Sequence, residues 1–336
     1  MEYKCIKKEE WDKALEQLLL FYTIFANTEN EYGLDYELIS PQDISTISYN
    51  KPKPATSLKS FFLPVQENVT SDRYAEKPRI ILGIPNCDIE GLFLLDEIYL
   101  GNDFTDAFYR NRRDNTILIS SDCLSINEHC HCASYGIKPY STRNADISVL
   151  NIDGTMVIKI ITAKGEGLVK RIPAAIAPAG NDIISAIEKA HMETETLLIA
   201  ANTGLPGYKE TGMLVKESGA DIWEKYSSRC VSCGACVTIC PTCSCFLLID
   251  KSGLEKVKQM DGCQYPGFER VAGGEDPLLE LHNRFRNRYM CKYVWKPVKF
   301  NSPACTGCGR CIEACIGQIN KNEIFMELAK QLANVG

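Results

Sequence analysis

Apolar residues recur at helical spacing near the start of the chain. Trp11, Leu15, Leu18, Leu19 and Tyr22 stripe one face of residues 9–25, which predicts an amphipathic helix. The periodicity then stops. Residues 51–78 carry Pro52, Pro54, Pro64 and Pro78 and read as a surface loop or connector. Arg79-Ile-Ile-Leu-Gly-Ile84 is a short apolar run, as a buried strand has, and residues 89–100 follow as a helix. Thr116-Ile-Leu-Ile-Ser120 predicts a second strand. In residues 151–159, Asp153-Gly154 sits between β-prone flanks, a hairpin signal. Residues 180–222 mix helix and loop, and residues 323–335 read as a closing helix. The pattern divides the chain into an N-terminal α/β unit with connector (1–78), an α/β domain (79–222) and a mainly helical domain (223–336).

Cysteine spacing gives the last domain its chemistry. One run is Cys230-x2-Cys233-x2-Cys236-x3-Cys240-Pro241, and the other is Cys305-x2-Cys308-x2-Cys311-x3-Cys315. Bacterial-type ferredoxins hold two 4Fe–4S cubanes with this spacing: three close thiolates wrap one cubane and the fourth closes the other. Cys230, Cys233, Cys236 and Cys315 are therefore assigned to one cluster, and Cys305, Cys308, Cys311 and Cys240 to its neighbour. Such clusters exchange single electrons, which points to an electron conduit. Sixty-four residues separate Cys240 from Cys305, more than a minimal ferredoxin fold uses. The expected fold class is α+β: N-terminal α/β units followed by a mainly helical, dicluster ferredoxin-like domain carrying an insertion.

Nine cysteines remain. Cys5 reads as a small buried hydrophobe. Cys87 and Cys123 each follow a predicted strand, and parallel neighbouring strands would bring both loops to one sheet end. The Cys130-His131-Cys132 pair would complete a four-thiolate pocket for a third cluster, or for zinc. Cys243, Cys245, Cys263 and Cys291 form a second set. They either hold a fourth cluster or pack around the first run and tune its potential. His129 and His131 flank Cys130 and read as surface histidines. Arg284, Arg286, Arg288 and Lys292, interleaved with Tyr289, Tyr293 and Trp295, read as charge compensation for the anionic clusters, with partner docking as the rival.

Composition narrows the function. Hydrophobic content of 45% and charged content of 24% are those of a soluble globular protein. A net charge of −6 gives no basic surplus for nucleic acid. The apolar stretch 18–25 is too short to span a bilayer, and the acidic residues before it argue against a signal peptide. Seventeen cysteines without an export signal suit a reducing, oxygen-poor cytoplasm. No Gly-x-Gly-x-x-Gly follows a strand, and there is neither a Walker loop nor a Ser–His–Asp pattern. Hydride chemistry and bond-making are expected on another subunit, with a self-contained iron–sulfur (flavo)enzyme as the alternative.

Cys230-Val-Ser-Cys-Gly-Ala-Cys-Val-Thr-Ile-Cys-Pro-Thr-Cys-Ser-Cys-Phe246 resembles the signature of a family of anaerobic electron-transfer subunits. That family includes the iron–sulfur electron-transfer subunit of anaerobic sulfite reductase, and the beta subunit of cytoplasmic sulfhydrogenases. Cys87-Asp88, Tyr109-Arg-Asn-Arg-Arg113, the Cys123 and Cys130-x-Cys132 set, Ala272-Gly-Gly274 and Cys305-Thr-Gly-Cys-Gly-Arg-Cys311 match as well. The resemblance implies an iron–sulfur subunit between a flavin- and NAD(P)H-binding partner and a catalytic partner. That partner carries siroheme in the sulfite reductase, the reading preferred on sequence, or nickel–iron in the sulfhydrogenase. The chain departs from the family at Ile316, where proline is usual, at His131, where an aromatic is usual, and at Cys291, where histidine is usual.

Overall fold

The computed structural model describes residues 3–70, 77–101, 103–172 and 176–333. Strand β1 (Tyr3–Lys7) leads into helix α1 (Lys8–Leu18), which ends earlier than its apolar stripe predicts. Leu20 and Phe21 are exposed in the turn that follows, and β-branched Thr23 opens strand β2 (Thr23–Asn30). A hairpin returns as β3 (Gly33–Leu38), and short β4 (Gln66–Asn68) lies further on. Strand β5 (Arg79–Ile84) and helix α2 (Asn86–Tyr99) stand where the apolar runs predict them. Helix α3 (Ala107–Asp114) is capped by Asp106, whose carboxylate accepts from the backbone of Phe108 and Tyr109. Then come β6 (Thr116–Ser121), the hairpin β7 (Ile147–Ile152) and β8 (Thr155–Ile160), helix α4 (Ala163–Val169) and the two-residue β9 (Ala177–Pro178).

All of these strands except β4 make one eight-stranded sheet in the order β3-β2-β5-β6-β7-β8-β1-β9. Strands β2, β5, β6 and β7 run parallel. Strand alternation covers both faces. Ile80, Leu82, Ile117 and Ile119 pack with Trp11, Leu15 and Leu18 of α1 on one side. Ile81 and Leu118 pack with Ile89, Leu92 and Leu95 of α2 on the other. Residues 1–78 and 79–222, expected as two units, thus share a sheet: Thr23 to Ala26 pair in register with Arg79 to Leu82.

The proline-rich connector is another departure. Its described part is largely interior: Lys53, Ser57, Leu58, Lys59, Phe62 and Leu63 are buried, while Ala55, Ser60 and Val65 are exposed. Residues 71–76 of it lie outside the described residues. A buried irregular backbone needs partners for its carbonyls. Arginine side chains supply them, from Arg310 Nε to Pro54 O (2.9 Å), Arg79 Nη2 to Phe61 O (2.6 Å) and Arg112 Nη1 to Phe62 O (2.9 Å).

Beyond the sheet the chain is mainly helical: α5 (Asn181–Ala201), α6 (Tyr208–Glu217), α7 (Ala220–Ser227) and the single turn α8 (Ala235–Thr238). The insertion between the cysteine runs holds a hairpin, β10 (Phe246–Asp250) and β11 (Lys256–Met260), and helix α9 (Leu281–Met290). A π turn (Cys291–Trp295) joins α9 to α10 (Lys296–Phe300); α11 (Arg310–Glu313) and the closing α12 (Lys321–Ala333) end the described chain, Val335 lying outside it. Trp223, Phe285, Tyr289 and Phe325 centre this domain's core. Strand β4 pairs with β11, tying the connector to the insertion. Buried charges lock that joint: Lys258 Nζ lies 2.6 Å from Asp106 Oδ2 and 3.3 Å from Glu67 Oε2, and Arg112 also pairs with Glu67.

Candidate iron–sulfur sites

The first cysteine run leaves α7 as a tight loop. Ser232 and Gly234 adopt left-handed backbone (φ 53° and 70°), curling the chain around its own thiols. A Cβ on Gly234 would sit 2.3 Å from the Tyr265 ring. Cys230, Cys233 and Cys236 line one cavity, and Cys315 of the other run lines it too. Arg288, Tyr289 and Cys311 complete its inner wall. Burial pushes the Cys236 thiol up to about 11, against the pull of the Arg288 guanidinium. The mouth is open: Cys233 is exposed, and so are Val231 (64%), two positions before it, and Ile316 (71%), next to Cys315.

The second run is deeper. Cys305, Cys308 and Cys240 are buried. Cys240 Sγ accepts from Lys292 Nζ at 3.0 Å and lies 3.2 Å from Thr242 Oγ1. A hydrogen bond from Cys243 and the Lys292 charge hold the Cys240 thiol well below its ordinary range, although burial opposes them. Burial acts to raise the Cys305 thiol, but Lys321 and Lys292 outweigh it and the net shift is downward. Gly307 and Gly309 have positive φ and press onto another loop. A Cβ on Gly307 would meet Cys132 Cα at 2.6 Å, and one on Gly309 would meet His129 O at 2.5 Å. His131 N–H donates to Gly307 O across the same contact (2.8 Å).

That other loop belongs to the Cys87 set. Strands β5 and β6 are parallel neighbours, so Cys87 at the start of α2 and Cys123 just past β6 leave the same sheet edge. Cys87, Cys123, Cys130 and Cys132 line one cavity, with Cys308 and Lys53 in its wall. Burial raises the thiols of Cys87, Cys123 and Cys132, the last to about 12. Lys53 Nζ lies 3.8 Å from Cys130 Sγ and pairs with Glu313 at 2.7 Å.

The Cys243 set divides. Cys245 and Cys263 stand at the open end of the β10–β11 hairpin, where Asp261 N–H donates to Cys245 O (3.1 Å). Cys291 opens the π turn; burial raises both the Cys245 and Cys263 thiols, and the neighbouring Cys291 adds to the rise. Cys243 instead engages Cys240. Among the described residues no three His, Cys, Asp or Glu side chains are arranged to hold a single metal ion. The Cys87 thiols line one cavity, a donor set that suits a cubane.

Most of the basic run lies inside the protein, which fits charge compensation and leaves little of it for a docking face. Arg284, Arg288 and Lys292 are buried. Arg284 Nη1 donates to Leu278 O (3.0 Å) and Leu279 O, Arg286 Nη2 to Lys216 O (3.1 Å), and Arg288 Nη2 to Cys236 O (3.2 Å). His131 is also no surface residue. It is fully buried, with Nδ1 2.7 Å from His129 O and Nε2 2.8 Å from Lys321 Nζ. His191 packs against Asp122 (2.8 Å) and stacks on Tyr140.

Sequence reasoning passed over Lys53, Lys321 and Thr242, and gave Arg310 no role. Arg310 forms a buried bidentate pair with Asp88, Nη1–Oδ1 2.5 Å and Nη2–Oδ2 2.8 Å. Each partner adjoins a cysteine set, which was the available signal: Asp88 follows Cys87, and Arg310 sits between Cys308 and Cys311.

Residues 229–319, which contain both cysteine runs, match the family described as 4Fe-4S dicluster domain. Over 318 residues the chain is 26% identical to sulfhydrogenase 2 subunit beta of Pyrococcus furiosus, covering 91% of this chain and 88% of that relative. The likeness to a sulfhydrogenase beta subunit therefore extends well beyond the cysteine motifs, and the chain is an iron–sulfur protein with at least two 4Fe–4S clusters.

Proposed function

We propose that this iron–sulfur electron-transfer subunit relays electrons between a flavin- and NAD(P)H-binding partner and a catalytic partner in a cytoplasmic complex. One observation supports the reading: two thiol-lined cavities flank the buried thiols of the second run, and the outer one ends at an open mouth. Cys308 borders both the Cys87 cavity and the second run, and Cys311 reaches the wall of the first. The first site takes Cys230, Cys233, Cys236 and Cys315, the second Cys240, Cys305, Cys308 and Cys311, and a third Cys87, Cys123, Cys130 and Cys132. When bound, such clusters take up and release single electrons at potentials set by burial, charge and hydrogen bonds to sulfur. The protein's own part is to compensate their charge with Arg288, Lys292, Lys321 and Lys53. It keeps the two inner sites dry and leaves the first within reach of a partner at Val231, Cys233 and Ile316. Cys243, engaged with Cys240, suits the tuning role better than ligation of a fourth cluster with Cys245, Cys263 and Cys291.

The sulfhydrogenase relative moves a hydrogenase-type complex, with nickel–iron in its catalytic partner, ahead of a siroheme-bearing sulfite reductase. The signature at residues 230–246 fits both. A nickel signal or a siroheme absorbance in the co-purified partner separates them.

The isolated chain is expected to accept electrons from dithionite and not from NADH or NADPH, because it shows no dinucleotide fingerprint. A flavoprotein partner should restore pyridine-nucleotide-driven reduction. Ile316→Asp should slow that reaction several-fold and leave dithionite reduction unchanged. Steady NADH oxidation by the single chain with bound flavin would establish the self-contained enzyme instead.

Anaerobically purified chain is expected to hold about twelve iron atoms, and Cys123→Ala to remove about four of them. A content of about eight in the parent chain would restrict it to the dicluster. Stoichiometric zinc would assign the Cys87 set to that metal.

A further inference from the structure

Helix α9 does not continue regularly past Met290. Over Cys291–Trp295 the backbone bonds one residue further along, and Lys296 N–H donates to Cys291 O. Pro297 accounts for this: it has no N–H to give, and its ring disfavours a regular α-turn before it. In the wider register the Lys292 carbonyl falls to residue 297 and finds no backbone donor there. The Tyr208 hydroxyl donates to it instead, and accepts from Ala304 N–H at 2.8 Å. Gly212 makes room for this turn, since a Cβ there would meet Tyr293 O at 2.6 Å.

The turn delivers Lys292 to the interior. An ammonium has three protons to donate, and this one has three acceptors: Cys240 Sγ at 3.0 Å, Thr242 Oγ1 at 2.7 Å and Ala304 O at 3.0 Å. Thr242 gives its own proton to Ala304 O (2.6 Å), so Lys292 is the charged donor facing the sulfur. The first run receives a different cation, Arg288, and through a backbone carbonyl rather than a sulfur.

We propose that Lys292 is a positioning residue that raises the reduction potential of one cluster, the one closed by Cys240, and leaves the other dicluster member unaffected. The inference rests on the ligand assignment given above. A fixed positive charge and a hydrogen bond on a ligand sulfur stabilise the more negative, reduced state.

The test is a potentiometric titration of the anaerobic full chain, followed by electron paramagnetic resonance, with iron content measured on each sample. Signals are assigned beforehand from Cys240→Ala and Cys230→Ala. Lys292→Met is expected to move the signal that Cys240→Ala abolishes to a more negative midpoint, with the other signal in place. Lys292→Arg should recover most of the shift. Tyr208→Phe, which removes the donor to the π turn and leaves the lysine in the chain, should give a smaller shift of the same sign and keeps the test open if Lys292→Met loses iron. Full iron with both midpoints unchanged in Lys292→Met, or in Tyr208→Phe where Lys292→Met loses iron, overturns the proposal and leaves the ligand assignment standing. A shift confined to the signal abolished by Cys230→Ala overturns the assignment of Cys240, and the proposal with it.

Discussion

Replacing Arg310 by leucine is expected to destabilise the protein by about 3–5 kcal/mol, the range found when one member of a buried ion pair is removed. The pair is almost inaccessible, with side chains 1% exposed on Arg310 and 0% on Asp88. Both carboxylate oxygens take a guanidinium nitrogen, and Asp88 Oδ2 also accepts from Leu58 N–H (3.2 Å). Arg310 Nε holds Pro54 O (2.9 Å), so the same side chain fixes the connector. Without it, a carboxylate stays in the interior with one backbone donor, and a buried carbonyl loses its partner. Iron should fall as well, because Asp88 adjoins Cys87 and Arg310 lies within the second run. Anaerobic denaturant unfolding, with iron counted in parallel, measures both. Replacing both partners by apolar residues should recover part of the loss, since two uncharged groups leave no stranded charge. A loss below about 1 kcal/mol in the single variant would mean that the pair behaves like an exposed one.

Cys240→Ala should remove about four iron atoms and the spectrum of the cluster on Cys305, Cys308 and Cys311, sparing the run in which Cys240 itself lies. Cys240 carries the electrostatic influence of Lys292, which also acts on Cys305, and its charge is felt by both Cys305 and Cys308. Its counterpart Cys315 lines the cavity of Cys230, Cys233 and Cys236. Cys315→Ala should therefore produce the reciprocal loss. If Cys240→Ala alters only the signal belonging to the first run, the crossed pattern does not hold in this chain.

Short-range rules served the chain well wherever the determinant is local. Strand β5, helix α2 and the Asp153-Gly154 hairpin follow from a few consecutive residues. The shared end of Cys87 and Cys123 follows from strand direction, whereas Cys130 and Cys132 are brought there by the loop after β6. The failures share a different cause. Residues 51–70 have the composition of a surface loop, yet arginines far away in sequence make their burial possible. Lys321 meets His131 across 190 positions and Arg310 meets Asp88 across 222. No window of neighbouring residues contains such a pair. The basic run shows the same limit: its charge is visible in sequence, but its direction is set by α9 packing on α7 and by the π turn. Tyr22, counted into the first helix, illustrates the opposite error, a correct period carried past the point where β pairing takes over.

Gly307 and Gly309 meet the 129–132 loop too closely for a single methyl group. The two parts fit backbone to backbone there, with the buried Arg310–Asp88 pair beside the seam. The sheet-end thiols and the ferredoxin-like runs are thus held together by direct backbone contact. The same seam makes the C-terminal domain a poor candidate for excision. Cut free of the loop, it would expose a bare glycine backbone and an arginine made to be enclosed.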